Sequence, residues 1–358
     1  MTEETALRST PATVLHDVCG LQAQLLTAAS LGLRARTTGI LSADVTRTLN
    51  EERSIVRTWL MRGTLHLVAA EDLGLLLGVL GPLFAAGNKA RHAQLGLDQE
   101  VKRRGVTAIR RILLSAGPLT RSEIVHRLRR HGVNLDRKTQ APIHLIRLAA
   151  LEGVLCLGPE RENGEATYVL IDDWLERPRS RSSDSALGEL ARRYFAAYGP
   201  AAPEDLLAWS GLPVSQARSA ITMAAPSLAE VRVGGRACLM LKQRIKRGNE
   251  HPAGSPTVRL LPAFDTYLLG YRSRDLAVPA VLERRLQRGG GWRHPAVVVD
   301  GRAIGAWAIR KNGPRGQVVV ETVETVTPSI RQGIAAEVSD IGHFFGLELT
   351  VSETRLRA

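Results

Sequence analysis

Arginine is the residue type whose number and clustering in this sequence most directly suggest chemistry. Of the 48 cationic side chains six are lysine and 42 are arginine, and against 35 acidic side chains they leave a formal net charge of +13. Basic runs occur at 102–104 and 127–130. A guanidinium group binds phosphate through two parallel hydrogen bonds, so this surplus predicts a polyanionic partner. A GC-rich genome would give the same count, and composition alone does not separate the two explanations.

An amide in an apolar setting is the second chemical feature. The pattern over 11–31 predicts one helix, on which Gln22 shares a face with apolar residues. Gln24 would then lie about 200° around the helix from Gln22, on the surface. A buried amide must find hydrogen-bond partners, whereas a glutamine at the edge of the apolar face needs none. The residues alone leave both possibilities open.

Several other kinds of chemistry are excluded by the residue patterns. The three cysteines, Cys19, Cys156 and Cys238, are far apart, and no His-Glu-x-x-His motif occurs, so no metal site is predicted. Neither glycine-rich nucleotide-binding motif is present, and no cofactor is expected. The acidic start lacks a signal peptide, and the apolar stretch 73–86 is too short to span a bilayer, which predicts a cytoplasmic protein. Aromatic residues form only 4% of the chain, which disfavours a stacking platform for single strands and favours duplex DNA as the polyanion.

The elements that must position these residues recur along the chain. The clearest copy covers 105–170 and has the order of a helix-turn-helix followed by a β-wing. Its predicted parts are helix 106–115, a Gly117-Pro118 break, a capping box from Thr120 to Glu123, helix 142–151, and strands 154–157 and 167–170.

The same pattern returns 82 residues later and, in part, 90 residues earlier. In the later copy Gly199-Pro200 repeats the break, 215–224 is the third helix, and a hairpin turns at Gly234-Gly235. In the earlier copy 50–61 is the predicted third helix and 64–68 the strand after it. A generic α+β protein with similar helical hairpins would also fit, but three units of similar length favour a tandem repeat.

The predicted fold class is therefore α+β, with three tandem winged-helix units and a C-terminal β-containing domain. The predicted domains are 1–70, the first winged helix with Gln22-Ala23-Gln24; 71–104, a helical insertion; 105–175, the second winged helix; 186–242, the third; and 257–358, a mixed α/β domain with strands at 258–261, 296–299, 303–310 and 317–325 and a basic hairpin tip at 311–316. Linkers are predicted at 176–185 and 242–256.

Winged helices place a recognition helix in the major groove, while phosphate contacts supply most of the affinity. Each arginine of the predicted recognition helices could equally be a solvated surface residue, and clusters are better candidates than single residues. The candidates for DNA contact in the first unit are Arg53, Arg57 and Arg62, and in the second unit they are Arg127, Arg129, Arg130, Arg137 and Lys138; the third unit's helix offers only Arg218.

Three segments together resemble the AlkZ/YcaQ family of bacterial winged-helix DNA glycosylases. They are Gln22-Ala23-Gln24, Met61–Val68 (MRGTLHLV) and Leu261–Arg272 (LPAFDTYLLGYR), in the family's order and spread over nearly the whole chain. The family fold, three tandem winged helices with a C-terminal β-containing part, agrees with the repeats. The catalytic motif is Gln-x-Gln in the AlkZ branch and Gln-x-Asp in the YcaQ branch, so this sequence is similar to the AlkZ branch.

The resemblance implies a monofunctional DNA glycosylase that hydrolyses the N-glycosidic bond of N7- or N3-alkylpurines in duplex DNA. Its substrates would extend to bulky antibiotic adducts and interstrand crosslinks, in base excision repair or self-resistance. An N7-alkylated guanine is cationic and leaves without a strong general acid. An amide carbonyl can orient the attacking water and stabilise the oxocarbenium-like sugar, roles that Gln22 and Gln24 would share. The 200° between them requires a distorted helix, for which Gly20 is a candidate position.

The other segments supply weaker candidates. His66 could face the lesion or a phosphate, or be a hydrogen-bonded histidine in a short strand. Asp265 could orient the site or pair with Arg272 or Arg274 in a structural salt bridge. The resemblance suggests that the hairpin tip enters the minor groove, although a plain exposed turn would have the same sequence. These segments add three candidates for DNA contact: Arg272, Lys311 and Arg315.

The leading hypothesis is thus a monomeric, cytoplasmic, nucleoid-associated DNA glycosylase without a cofactor. A non-enzymatic winged-helix DNA-binding protein or transcriptional regulator is the alternative, and it would bind specific sequences without base release. A scaffold with no nucleic-acid role is a third hypothesis, which salt-sensitive duplex binding would contradict.

Overall fold

The computed structural model describes residues 10–175, 183–247, 255–288 and 292–355. The centres of the two predicted linkers, 176–182 and 248–254, lie outside these residues. None of the helices in the described part of the chain has the length and apolarity needed to cross a membrane.

The prediction of a single helix over 11–31 is wrong. A short helix is followed by a sharp turn at Cys19 and Gly20, both with left-handed φ (54° and 92°), and the chain then runs extended before the next helix. A Cβ on Gly20 would lie 2.8 Å from Cγ1 of Val68, so glycine allows the close approach as well as the turn. The elements are α1 Pro11–Asp17, β1 Leu21–Gln22, α2 Leu26–Arg34, α3 Ser42–Asn50, β2 Ile55–Trp59 and β3 Leu65–Ala69.

The predicted recognition helix of this region, 50–61, is also wrong. α3 ends at Asn50, and Ile55–Trp59 forms strand β2, all five of whose residues are buried. Four of these residues are β-branched or aromatic, and such side chains pack well in a sheet. The strand predicted at 64–68 is confirmed as β3, which pairs antiparallel with β2. Strand pairing therefore decides the structure of 50–69.

The stretch 105–170 has the predicted order of elements, including the capping box between Thr120 and Glu123. Its first helix begins earlier than predicted, so the boundary at 104/105 falls inside a helix. The elements from the insertion onward are α4 Leu73–Ala85, α5 Lys89–Gln94, α6 Gln99–Ala116, β4 Leu119–Thr120, α7 Arg121–Leu128, α8 Ala141–Leu151, β5 Leu155–Leu157, β6 Thr167–Leu170 and α9 Ile171–Trp174.

The strands of the first two regions form one six-stranded sheet, in the order β1-β3-β2-β5-β6-β4. Antiparallel pairing of Arg57 with Leu157 joins the two halves. The sheet crosses between the predicted units, and as a result a side chain from the second region reaches the N-terminal strands.

The third region likewise contains the predicted third helix and the hairpin about Gly234-Gly235. Both glycines have positive φ, as a tight two-residue hairpin turn requires. The elements are α10 Ser183–Tyr198, α11 Pro203–Ser210, α12 Val214–Ala224, β7 Leu228–Val233 and β8 Arg236–Leu241.

The C-terminal region is a five-stranded sheet of order β15-β14-β13-β12-β9, antiparallel except for the parallel β14–β15 pair. The four predicted strands are present, whereas α15 and β15 were not predicted. The elements are β9 Val258–Leu261, α13 Thr266–Leu269, α14 Ala280–Leu286, β10 Gln287–Arg288, β11 Trp292–Arg293, β12 Ala296–Val299, β13 Arg302–Asn312, β14 Arg315–Thr322, α15 Pro328–Phe345 and β15 Glu348–Arg355.

Two apolar cores meet at the N-terminal strands. One joins β2 and β3 to α4 and to the helices of the third region, and includes Val68 and Trp209. The other joins α1 to α3 to the C-terminal sheet, and includes Leu21 and Ala23. Cys19, just before β1, belongs to the first core and Leu21 of β1 to the second, so the segment runs between the two. The fold is mixed α+β, as predicted.

Candidate active site

The two glutamines lie on an extended segment at the edge of the six-stranded sheet. Gln22 pairs with His66 of β3, and the Ala23 amide donates to the Leu65 carbonyl at 2.7 Å. Successive side chains of an extended segment point to opposite sides. Since Leu21 and Ala23 enter one apolar core, alternation directs Gln22 and Gln24 to the other side. The 200° separation expected on a helix is thus removed, because the segment is not helical.

Gln22 is buried and its amide is fixed by an arginine. The side-chain carbonyl oxygen Oε1 accepts a hydrogen bond from Nη2 of Arg62 at 2.7 Å. Nη1 of the same guanidinium donates to the backbone carbonyl of Trp209 at 2.6 Å, in the third region. Arg62 has left-handed φ (54°), in the turn between β2 and β3. A strained backbone position therefore aims the guanidinium at Gln22.

Arg57 holds the backbone of the same segment. It projects from β2, is 8% exposed, and donates to the carbonyls of Ala23 (3.0 Å) and Gln24 (3.3 Å). Its remaining contact is an ion pair with Glu160 at 3.3 Å, from the loop between β5 and β6. Burial lowers the pKa of Arg57, and the Glu160 carboxylate opposes this effect. The reason for expecting a phosphate contact here, a recognition helix, is absent.

Gln24 differs from Gln22 in its surroundings. Its side chain is exposed, in the bend just before α2. The bonds that Gln24 makes go through its backbone carbonyl to Arg57. Within the described part of the chain its amide is free to meet a ligand or water.

His66 is a buried, hydrogen-bonded histidine of a strand, one of the two expected environments. It is 1% exposed, and Nδ1 donates to the Thr64 carbonyl at 2.9 Å, which fixes the neutral tautomer with a proton on Nδ1. Burial, aided by the nearby Arg62 charge, lowers the pKa of His66 to about 3. The imidazole is therefore neutral at physiological pH and supports β3 beneath Gln22.

Asp265 is also buried, but its partner is neither Arg272 nor Arg274. Its two carboxylate oxygens accept from Nη1 and Nη2 of Arg36 at 2.8 and 2.7 Å. The expected pairing with Arg272 or Arg274 is thus wrong, because Arg36, just after α2, lies closer in space. Burial by itself would lower the pKa of Arg36, but the Asp265 carboxylate outweighs it and raises the pKa. The pair fastens α2, which follows the glutamines, to the segment 261–272.

The three segments that carried the family resemblance are thus held together. Arg62 connects 61–68 to Gln22, and Arg36 connects α2 to Asp265. The hydroxyl of Tyr198, in α10, donates to the Val18 carbonyl at 3.0 Å. The backbone carbonyl of Tyr198 accepts from the Tyr271 hydroxyl at 2.8 Å. Arg36, Glu160 and Tyr198 were not predicted to belong to the site, since nothing in their local sequence marks them.

The remaining DNA-contact candidates lie on the surface or near it. Arg129 and Arg130 are exposed after α7, and Arg127 is half-buried. At the hairpin tip, Lys311 lies 4.5 Å from the Phe345 ring centroid and Arg315 pairs with Glu348 at 3.1 Å, both exposed. The side chain of Arg272 is exposed too. A duplex could reach these cations without unfolding any element.

The helix that should enter the major groove in the second unit is not available to do so. None of the eleven residues of α8 is exposed, because α8 packs against α4 and α6. α8 therefore offers no exposed side chain for a major-groove contact, and the DNA contacts of this unit stay a prediction. The exposed cations at the end of α7 are the surface that this region offers instead.

One cluster has the residue types of a metal site. His16, Glu71 and Asp72 bring potential ligand atoms within 4.8 Å of one another. Arg193 also contacts the Asp72 carboxylate, so the acidic charge already has a cationic partner. The residues fit an ion-pair network between α1, the turn before α4, and α10 better than a metal.

The chain resembles known proteins over most of its length. Residues 15–344 match the family model of DNA glycosylase AlkZ-like proteins. An "Interstrand DNA cross-link repair glycosylase" of Streptomyces sahachiroi is 31% identical over 318 residues, which cover 83% of this chain and 81% of that protein. The solved structure of Streptomyces sahachiroi DNA glycosylase AlkZ superposes with a TM-score of 0.81 at 25% identity, covering 98% of this chain and 95% of that one. The chain belongs to the AlkZ-like DNA glycosylase family.

Proposed function

We propose that this chain is a monofunctional glycosylase that hydrolyses the N-glycosidic bond of alkylated purines in duplex DNA. The observation that carries the proposal is the segment Gln22-Ala23-Gln24, extended rather than helical and held by two arginines, of which Arg57 is buried and Arg62 half-buried. Such support for two uncharged side chains fits a site where amides do the chemistry. The name of the similar Streptomyces sahachiroi protein suggests interstrand crosslinks as substrates, which we include in the proposal.

The proposed reaction balances without a metal or cofactor. The bond between C1′ and the purine N9 breaks, and its electron pair goes to the base. A base alkylated at N7 carries a positive charge and becomes neutral when it receives that pair. Water forms the new bond to C1′ and releases one proton to solvent. The site needs only to hold the water and to stabilise the oxocarbenium-like sugar.

Gln24 is the better placed of the two amides to hold the water. Its side chain is exposed and makes no hydrogen bond within the described residues, so its carbonyl oxygen can accept from a water. An amide is a poor base, so Gln24 would orient the water and not remove its proton. The base that leaves a cationic nucleotide needs no stronger assistance.

Duplex binding would use the exposed cations. We place the backbone of the DNA along Arg127, Arg129 and Arg130 and against the hairpin tip with Lys311 and Arg315. Arg272 is exposed at the end of the segment 261–272, which also contains Asp265, and can contribute a further phosphate contact. Arg57 and Arg62 are not among the proposed phosphate contacts, because their guanidinium groups hold the glutamine segment. The proposal also includes three winged-helix units in the fold. It further states that the protein acts as a monomer and is associated with the nucleoid.

The test is release of base from a panel of alkylated duplexes, from N7-methylguanine to bulky adducts and crosslinks, in the presence of a chelator. We expect release by the unaltered protein, loss in Gln22→Ala and Gln24→Ala, and unchanged duplex affinity in both variants. Gln216→Ala, an exposed glutamine of α12, is the matched control and should keep full activity.

Two results would count against the proposal. Undiminished release by both variants would refute the assignment of the glutamines. Tight, sequence-specific binding with no release from any duplex of the panel would favour a DNA-binding protein or regulator. Salt dependence of binding should be steep in either case, because phosphate contacts displace counterions.

A further inference from the structure

The interaction between Arg62 and Gln22 determines which end of the Gln22 amide points away from Arg62. A guanidinium only donates hydrogen bonds, so the atom of Gln22 that meets Nη2 of Arg62 must be the carbonyl oxygen. The reverse orientation would set two donors against each other. The NH2 group is therefore on the other prong of the amide, away from Arg62.

Nothing else in the described residues occupies that NH2 group. The Arg62 contact is the hydrogen bond that the Gln22 side chain makes. Nε2 of Gln22 is absent from the buried polar atoms without a partner in this part of the chain, so it reaches solvent. A buried side chain thus presents two N–H donors to the outside, and its oxygen is engaged inside.

Arg62 itself is placed to hold this orientation. Burial lowers the pKa of Arg62, and no carboxylate among the described residues forms an ion pair with it. A half-buried guanidinium needs acceptors, and the two that Arg62 finds are the carbonyl of Trp209 and the oxygen of Gln22. Turning the Gln22 amide would leave Arg62 short of an acceptor, which makes the observed orientation the stable one.

On the basis of the proposed function, we infer that Arg62 is a positioning residue that makes Gln22 a hydrogen-bond donor to the leaving base. As the C1′–N9 bond breaks, its electron pair moves onto the purine and raises electron density at the acceptor atoms of the base. A donor hydrogen bond to such an atom strengthens on the way to the transition state. Gln22 and Gln24 then have opposite tasks: Gln22 donates to the base, and Gln24 accepts from the water.

The decisive experiment compares Gln22→Glu with Gln24→Glu. Glutamate keeps the size and the acceptor oxygens but has no N–H donor, and beside Arg62 it is held ionised. We measure single-turnover release of N7-methylguanine from a duplex at saturating protein. Gln22→Glu should lose about 100-fold or more, as for removal of one transition-state donor. Gln24→Glu should stay within about ten-fold of the unaltered protein, because its acceptor is preserved.

A double-mutant cycle tests the part of Arg62. Arg62→Met should slow the single-turnover rate with little change in duplex affinity. Added to Gln22→Ala, the same change should have almost no further effect, since Arg62 acts through Gln22. A merely structural role of Arg62 would give additive losses. Thermal unfolding of each variant shows whether it is folded.

The outcomes separate the inference from the proposed function. Retained activity in Gln22→Glu, or additive losses in the cycle, would overturn the inference while leaving the glycosylase in place. Absence of release by the unaltered protein from every duplex would instead overturn the proposed function. Loss in both glutamate variants would contradict the division of tasks between the two amides.

Discussion

Two groups of arginines that look alike in the sequence have different surroundings. Arg57 and Arg62 of the N-terminal region are withdrawn from solvent, and their guanidinium groups bind carbonyl and amide oxygens of this chain. Arg129 and Arg130 of the second region are exposed, with no acid paired to either among the described residues. The first group serves the geometry of the glutamine segment, and the second is available to an external anion. Residue type alone therefore does not identify a phosphate contact.

The largest effect expected from this contrast is on stability, at the buried ion pair. Asp265→Asn leaves Arg36 without its carboxylate, and removing one member of a buried pair costs about 3 kcal/mol. Urea unfolding gives the change in free energy. The control is Asp172→Asn, which removes the exposed pair with Arg110 and should leave the unfolding midpoint unchanged. Equal effects of the two variants would erase the distinction between buried and exposed charges.

Arg57→Met should come next in size. The variant keeps most of the apolar length but removes the donors to the carbonyls of Ala23 and Gln24, at a cost of about 2 kcal/mol. Base release should fall as well, because the backbone of Gln24 loses its support. Arg110→Met, at an exposed arginine outside the proposed DNA contacts, is the matched control and should leave both quantities unchanged. If the Arg57→Met protein had normal stability but weaker DNA affinity, Arg57 would have to be a phosphate contact after all.

The pH dependence of stability should also reflect the N-terminal region. Because the folded-state pKa of His66 is about 3, the unfolded chain binds a proton at His66 that the folded chain does not, once the pH falls below about 6.5. The contribution of His66 is complete above about pH 6.5 and is lost toward pH 3, at up to about 1.4 kcal/mol per pH unit. In His66→Asn the free energy of unfolding should change less steeply with pH in this window, whatever the stability of the variant at pH 7. An unchanged slope would show that His66 is protonated in the folded protein.

The smallest effect on the folded protein is expected for the exposed group. The double variant Arg129→Ala, Arg130→Ala should unfold like the unaltered protein but bind duplex DNA more weakly. A plot of log affinity against log salt concentration should become shallower by about 0.9 for each phosphate contact removed. Release from the bound complex should proceed at the normal rate. Unchanged affinity and slope would show that the duplex lies elsewhere.

The local sequence predicts the structure of some regions better than that of others, for a physical reason. In 105–170 the signals are local: a capping box at Thr120 and a Gly-Pro break at Gly117 act within a few residues, and those elements are present. In 50–61 the helical pattern was outweighed by pairing of β2 with β3 and with β5, contacts from up to 100 residues away. Helix propensity is a weak preference that such tertiary contacts override.

The candidate site shows the same division. Gln22 and Gln24 were identified through a resemblance, but their arrangement on a helix was wrong, since Cys19 and Gly20 turn the chain into an extended segment. Asp265 was correctly suspected of an ion pair, but Arg36 was not identifiable as its partner. Pairing between distant charges depends on which elements pack together, and this is not encoded in any short stretch of sequence.

By itself, the sequence determined the positive charge, the absence of the common cofactor motifs, the elements of the second and third regions and the two glutamines. Tertiary structure alone decided that the glutamines lie on an extended segment, that two arginines support them while others face solvent, and that Gln22 points its NH2 group outward. The physical reason is range. Turns, caps and composition act within a few residues, whereas the burial of a guanidinium and the direction of an amide depend on regions that meet only when the chain is folded.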